Sequence, residues 1–439
     1  MERRCSGTAV DGEALTIAND TIWAIVALST LGVIVRPWNL PEATWAGTGA
    51  VMLIVFGLLP WSDALKAVAK GTDVYLFLSG MMLLAELARK EGLFDFLAGR
   101  AARLAGGSAM KLFALVYGVG TVVTVFMSND ATAVVLTPAV FAATKAAKVK
   151  DPLPYLLICA FIANAASFVL PISNPANLII FRDHMPPLLQ WLGRFALPSV
   201  LSIAVTYAVL RFTQRDSLRQ EVMGAEVDVP GLSSGGRMTA CGIVGTGIVL
   251  LLASGFGIDL GLPTFVAAVG TASVVLFLKR ESPWIVMKDA PWEILPLVGG
   301  LFVLVEALDR SGVLNALIHV LQMSADRSAT VTTWAAGVTL ALTSNLVNNL
   351  PAGLLAASVV SASHVPRQVA SAVLISVDLG PNLSVTGSLA TILWLSALRR
   401  ENQNVSAWSF LKLGALVMPP ALLIAIAGLL VTGSVRYSF

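Results

Sequence analysis

Charge is scarce in this chain. Asp, Glu, Lys and Arg supply 13% of its 439 residues, against about 25% in an ordinary soluble protein, and 56% are hydrophobic. So little polar surface cannot cover a core of this size, which excludes a soluble globular enzyme. Disorder is excluded as well, because disordered chains are polar and charged. A mean hydropathy of +0.80 calls for lipid as solvent and hence a multi-pass membrane protein. Cysteine and histidine are nearly absent. Cys5, Cys159 and Cys241 form no CxxC pair, and His184, His319 and His364 are equally scattered. Neither a disulfide framework nor a metal centre is expected, and no cofactor is assigned. No GxxxxGK[ST] loop occurs, which removes ATP hydrolysis by the P-loop route. A net charge of +3 is too small to suggest nucleic-acid binding.

Apolar runs of spanning length lie at about 17–35, 43–60, 74–88, 195–212, 239–256, 263–278, 292–308 and 410–432. The first lacks a small-residue cleavage site before Arg36-Pro37 and reads as a retained helix. The polar stretch 213–238 reads as a cytoplasmic linker between two halves, 1–212 and 239–439. Four more apolar stretches, 111–145, 154–181, 330–361 and 367–398, are interrupted. The interruptions are Met127-Ser128-Asn129-Asp130, the run Leu170 to Asn177, the run Ser344 to Pro351, and Asp378-Leu379-Gly380-Pro381-Asn382 followed by Val385-Thr386-Gly387-Ser388. Such residues free backbone groups, which membranes tolerate only inside protein or beside a watery cavity. Paired interruptions in two halves point to a transporter's binding site.

The halves correspond. A shift of 220 carries Gly80, Glu86, Gly92 and Asn129 onto Gly300, Glu306, Gly312 and Asn349; a shift of 213 carries Ser173 onto Thr386. Each half holds five crossings and a hairpin with a polar tip and short arms. Five is odd, so the second half is inverted. The expected fold is an all-α polytopic membrane protein of two inverted repeats, with about ten transmembrane helices, two re-entrant hairpins and broken helices. Of the 29 Lys and Arg, 19 fall on the side that holds Arg89, Lys145, Arg211 and Arg399. The positive-inside rule makes that side cytoplasmic in an inner (plasma) membrane, with both termini outside.

Ser128, Asn129, Ser173, Asn174, Asn177, Asn348, Asn349, Thr386 and Ser388 offer neutral hydroxyls and amides at the breaks. Helix starts there add unpaired backbone N–H groups. Capping accounts for some of these residues, but their matched clusters argue for a binding site. Glu86 and Glu306 are symmetric, with Arg89 and Arg310 at i+3 and i+4, and read as structural ion pairs. Asp130 and Asp378 differ: their counterparts are Leu350 and roughly Ala165. A carboxylate at membrane depth without a charged partner is a functional candidate, here a proton carrier; the alternative is a helix cap held ionised by the dipole.

Ser128-Asn129-Asp130-Ala131-x-Ala133-x3-Thr137-Pro138 resembles the first hairpin of the ArsB-type arsenite efflux permeases. So do Phe161-Ile162-Ala163, Ser173-Asn174-x2-Asn177 and Ala290-Pro291-Trp292, and most densely Asn348-Asn349-x-Pro351 with Asp378-Leu379-Gly380-Pro381-Asn382-Leu383-x3-Gly387-Ser388-Leu389-Ala390-Thr391-x2-Trp394. The resemblance runs from about Trp23 to the last span. It implies the ion transporter superfamily and a proton-driven antiporter exporting arsenite and antimonite, in some members with a separate soluble ATPase subunit as partner. Related branches carry dicarboxylates, citrate or sodium, so a sodium-coupled dicarboxylate symporter or a sodium/proton antiporter is the competing expectation. The chain departs from the family at Asn164, where a carboxylate is often found. Arsenous acid is largely uncharged at neutral pH and presents three hydroxyls, which Asn, Ser and Thr satisfy without Arg or Lys. A membrane-embedded enzyme would need a nucleophile with a base, or a metal cluster, and the sequence presents neither.

Overall fold

The computed structural model describes residues 6–181, 185–221, 223, 224, 227, 229 and 231–434; Cys5 and His184 lie outside that range. All regular structure among the described residues is helical. The first half contains α1 (Ser6–Val35), α2 (Glu42–Val55), α3 (Thr72–Lys90), α4 (Leu93–Ala105), α5 (Ala109–Met127), α6 (residues 129–146, π-helical over Thr132–Leu136), α7 (Leu153–Ala165), α8 (Pro175–Ile180) and α9 (Leu188–Thr213). The second contains α10 (Ser234–Gly255), α11 (Gly261–Lys279), α12 (Ile294–Arg310), α13 (Val313–Arg327), α14 (Ala329–Val347), α15 (Asn349–Ser363), α16 (Arg367–Leu379), α17 (Leu389–Arg400) and α18 (Ala407–Ser434).

The two series repeat each other in local chemistry. Ser108 caps α5 by accepting from Lys111 N, and Ser328, 220 residues on, caps α14 by accepting from Val331 N. Gly92 (φ 69°) and Gly312 (φ 82°) make the left-handed turns that start α4 and α13. The halves also interlock: α3 packs on α11, and α12 packs on α2. At these crossings Gly80 lies on the backbone of Thr264 and Gly300 on that of Ala46. A Cβ at either glycine would sit within 2.9 Å of the facing backbone atoms, so only a missing side chain permits the approach. The offset changes to 214 at the broken spans, where Leu153 opens α7 and Arg367 opens α16. This corrects the expected counterpart of Asp378, which is Asn164 rather than Ala165.

Six described helices, residues 17–35, 109–127, 188–213, 234–255, 261–279 and 407–433, are long and apolar enough to cross a bilayer alone. One of them is α5, so the hairpin arms are longer than the sequence reading allows. Their tips nevertheless turn back at the depth of the breaks. Ser173 Oγ donates to Val125 O at the end of α5, and Asn349 N donates to Gly387 O at the second break. The broken spans hold the centre of the molecule: Pro154 to Ala165 and Val369 to Leu379 are buried without exception. The irregular backbone that follows is mostly buried as well, with 169–170 and 383–386 half-buried. The expected ion pairs hold only in the first half. Arg89 Nη2 meets Glu86 Oε1 at 2.5 Å, but Glu306 pairs with Lys70 at 2.7 Å, and Arg310 reaches Asp63 instead. Lys70 and Asp63 belong to the amphipathic segment around Trp61–Ala69, whose charges face the end of α12.

Candidate solute site

Four helices begin at the centre of the molecule: α6 at Asn129, α8 at Pro175, α15 at Asn349 and α17 at Leu389. The residues before the hairpin arms take the same unusual backbone, Ser128 at φ 109°, ψ 160° and Asn348 at φ 69°, ψ 152°. Non-glycine residues there cost about 1–3 kcal/mol, a strain that clusters at functional sites. α8 packs on α15, and α17 packs on the π-helical turn of α6, so each broken span meets the other half's hairpin. Their meeting point is a cavity of about 10 Å³, room for roughly one water. Its polar lining is Asn129, Asp130, Asn174 and Asn349; Leu78 from α3 and Ile294 and Val298 from α12 close it. Among the described residues, no Lys or Arg lines it.

The lining is rich in acceptors that lack donors. Asn129 Oδ1 and Asn349 Oδ1 are buried and accept no hydrogen bond, and the same holds for Asp378 Oδ2 just behind Asn174. Each such group costs about 1–3 kcal/mol when it stays unmet. Asn174 connects two functions. Its Oδ1 accepts from Ala176 N and caps α8, and its Nδ2 donates to Asp378 Oδ1 at 2.7 Å. A change in the state of Asp378 is therefore felt at the start of α8. Asp130 is half-buried beside the cavity at the second residue of α6, and Asp378 is fully buried.

Six of the expected site residues lie inside the tips. Ser128 is buried at the first tip. Ser173 accepts from Leu170 N and donates to Val125 O. Asn177 Nδ2 donates to Ser167 O and Leu170 O. Asn348 caps α15 through Leu350 N and donates to Thr386 O. Thr386 donates to Asn345 O. Ser388 accepts from Thr391 N and caps α17. These contacts build the tips, although Asn177 Oδ1 stays without a donor among the described residues; Asn129, Asp130, Asn174 and Asn349 line the cavity, and Asp378 lies behind Asn174.

Asn164 enters the same centre. Its Nδ2 donates to Asn382 Oδ1 at 3.0 Å, and its Oδ1 accepts from Ser388 Oγ at 3.4 Å. Asp378 with Asn174 and Asn164 with Ser388 are thus mates under the repeat. Each joins a broken span's first helix to the other half's second helix start. The apolar walls were not anticipated, although the offset of 220 that aligns the halves carries Leu78 onto Val298.

Comparison with known proteins shows the family of the chain. The family model described as citrate transporter matches residues 25–387. The chain is 27% identical over 431 residues to the arsenical pump membrane protein of Escherichia coli K12, covering 95% of this chain and 98% of that one. It is 27% identical over 424 residues to the protein of the same name from Yersinia enterocolitica, covering 92% and 97%. A putative arsenical pump membrane protein of Bacillus subtilis is 23% identical, covering 88% and 93%. The crystal structure of the YdaH transporter of Alcanivorax borkumensis superposes with a TM-score of 0.54 at 14% identity, covering 85% of this chain and 87% of that one.

Proposed function

Because the chain belongs to the citrate transporter family, and so is a multi-pass membrane transporter rather than an enzyme, we propose that it exports arsenite in exchange for protons. Antimonite, with the same trihydroxy form, would follow the same route. Residues 1–212 and 239–439 act as the inverted repeats and 213–238 as a cytoplasmic linker in the inner membrane, with both termini outside. The observation that carries the reading is the pair of unpartnered Asn129 and Asn349 oxygens beside a cavity without Lys or Arg. A small neutral triol has the donors that these acceptors lack. The names of the relatives at 27% identity point to the same cargo.

Transport follows from the coupling of Asp378 to Asn174. A neutral solute gains nothing from the membrane potential, so uphill export needs a second ion. The ionised Asp378 holds Asn174 through Oδ1, and its free Oδ2 accepts a proton or a hydroxyl of the solute, not both. That exclusion is antiport. Asp130, at the cavity wall, is the second candidate carrier.

A carboxylate carrier is the competing reading, favoured by one observation: four helix starts converge here, and such ends attract anions. Everted membrane vesicles separate the two. Proton-gradient-dependent accumulation of arsenite, but not of citrate or succinate, is expected. Accumulation of a carboxylate with sodium, and no response to arsenite, would replace the present reading with the other.

A further inference from the structure

One face of α12 runs from the site to the protein surface. Ile294 and Val298 close the cavity; then come Phe302, Val305 with Glu306, and Asp309, at helical spacing. One face of α15 runs beside it through Leu350, Leu354, Ser358 and Ser361. The two helices pack together. Exposure grows along both faces: Phe302 is 3% and Leu354 1% exposed, Ser358 is half-buried, and Asp309 and Ser361 are exposed. At the outer end the faces part around a second cavity of about 250 Å³, lined by Lys70, Glu306, Asp309 and Ser358 among others, where Lys70 Nζ meets Glu306 Oε2 at 2.7 Å.

The equivalent seam in the first half is built differently. Each part of α6 meets α3 only marginally. Asp130, Val134, Pro138 and Phe141, along the matching face of α6, all stay half-buried rather than sealed. At its two inner turns the second hairpin is therefore sealed, at Leu350 and Leu354, where the first, at Asp130 and Val134, is looser.

We propose that the seam between α12 and α15 is the path by which the solute leaves the site, with Phe302 and Leu354 as its seal and the Lys70–Glu306 cavity as its vestibule. Two carboxylates against one ammonium make the mouth acidic, so it passes uncharged hydrogen-bonding solutes and cations and disfavours anions. The direction of flow rests on the export reading above; the path itself does not. Opening it requires that α15 part from α12 while it keeps its packing on α8, α14 and α16.

The test is thiol accessibility in intact cells. In a chain with Cys5, Cys159 and Cys241 changed to Ala, Ser358→Cys is expected to react rapidly with a membrane-impermeant methanethiosulfonate added outside. Leu354→Cys should react at least tenfold more slowly, and Leu342→Cys, on the exposed face of α14, should not react. Modification at position 358 is expected to cut arsenite efflux at least tenfold. Unimpaired efflux from the labelled Ser358→Cys protein, or reaction only from the cytoplasmic face, overturns the proposal. If the reaction pattern stands but the parent moves no arsenite, the export reading fails and the path survives. A second variant guards against a misfolded thiol-free chain: Ser358→Trp in the native chain fills the vestibule, and export at the parental rate from a stably inserted Ser358→Trp protein also overturns the path.

Discussion

Replacing Asp378 by Asn tests the coupling directly. The change alters one atom in a fully buried position and keeps an oxygen to accept from Asn174 Nδ2, now 2.7 Å from Oδ1. The fold already supplies the precedent: the repeat mate of Asp378 is Asn164, seated against Ser388 as Asp378 is against Asn174. The cost of the swap is the difference between a charged and a neutral hydrogen bond, about 1 kcal/mol, so the tip of α8 should stay capped and solute binding should weaken less than tenfold. Coupling should vanish. One pH unit across the membrane is worth about 1.4 kcal/mol per coupled proton, a tenfold accumulation ratio. In everted vesicles with a one-unit gradient the parent should concentrate arsenite about tenfold per coupled proton, and Asp378→Asn should only equilibrate it. Asp378→Leu, in contrast, strands the Asn174 amide at a cost of about 1–3 kcal/mol and should lose binding as well. A well-inserted Asp378→Asn protein that still accumulates arsenite tenfold, with arsenite-induced proton movement at the parental rate, refutes the mechanism for this residue and moves it to Asp130.

Asn129→Ala and Asn349→Ala each remove one acceptor from the cavity and should weaken arsenite binding by about 1–2 kcal/mol, roughly five- to thirtyfold; equilibrium binding to purified protein measures this, and parental affinity in both would move the site elsewhere. Changing all three cysteines to Ala should leave export intact, because Cys159 is buried within α7 and Cys241 faces outward on α10; loss of efflux at normal membrane levels would contradict this. Gly80→Ala and Gly300→Ala push a methyl group into the facing backbone and should each cost about 1–3 kcal/mol, read as a lowered melting temperature in detergent.

The break positions were legible in the sequence because each carries Pro, Gly, Asn or Ser where a span needs apolar helix formers. The observed breaks at 128, 166–174, 348 and 380–388 overlap the expected ones, although the second begins earlier than expected, right after Ala165. The repeat was legible for the same reason: Gly80 and Gly300 are constrained by backbone contact and keep their register. Function within the tips was not legible. Ser173 and Asn174 are adjacent and chemically alike, yet one ties down α5 and the other faces Asp378. That choice depends on which way a broken helix turns after Leu170, a tertiary outcome. The pairing of Glu306 with Lys70 was hidden too, since its partner lies 236 residues away while a closer arginine stood at i+4. The offset drop from 220 to 214 lies in the stretch that follows the first tip. There 129–146 is longer than Asn349–Ser363 and contains the π-helical turn.

The crosswise packing of α3 on α11 and α12 on α2 has a consequence for biosynthesis. The most extensive packing partner of each half's second and third spans lies in the other half. As the chain leaves the ribosome, the bare strip around Gly80 must wait for Thr264, and that around Ala46 for Gly300. At about 5–20 residues per second the two intervals span roughly 10–50 s. During that time the first half sits in the bilayer with its tightest contact surfaces facing lipid or an insertion chaperone. A ribosome stalled in the linker would release a product that has every crossing of its half but no finished frame, a natural substrate for membrane proteolysis. The same logic implies that the two halves, made as separate polypeptides, accumulate only when they are synthesised together.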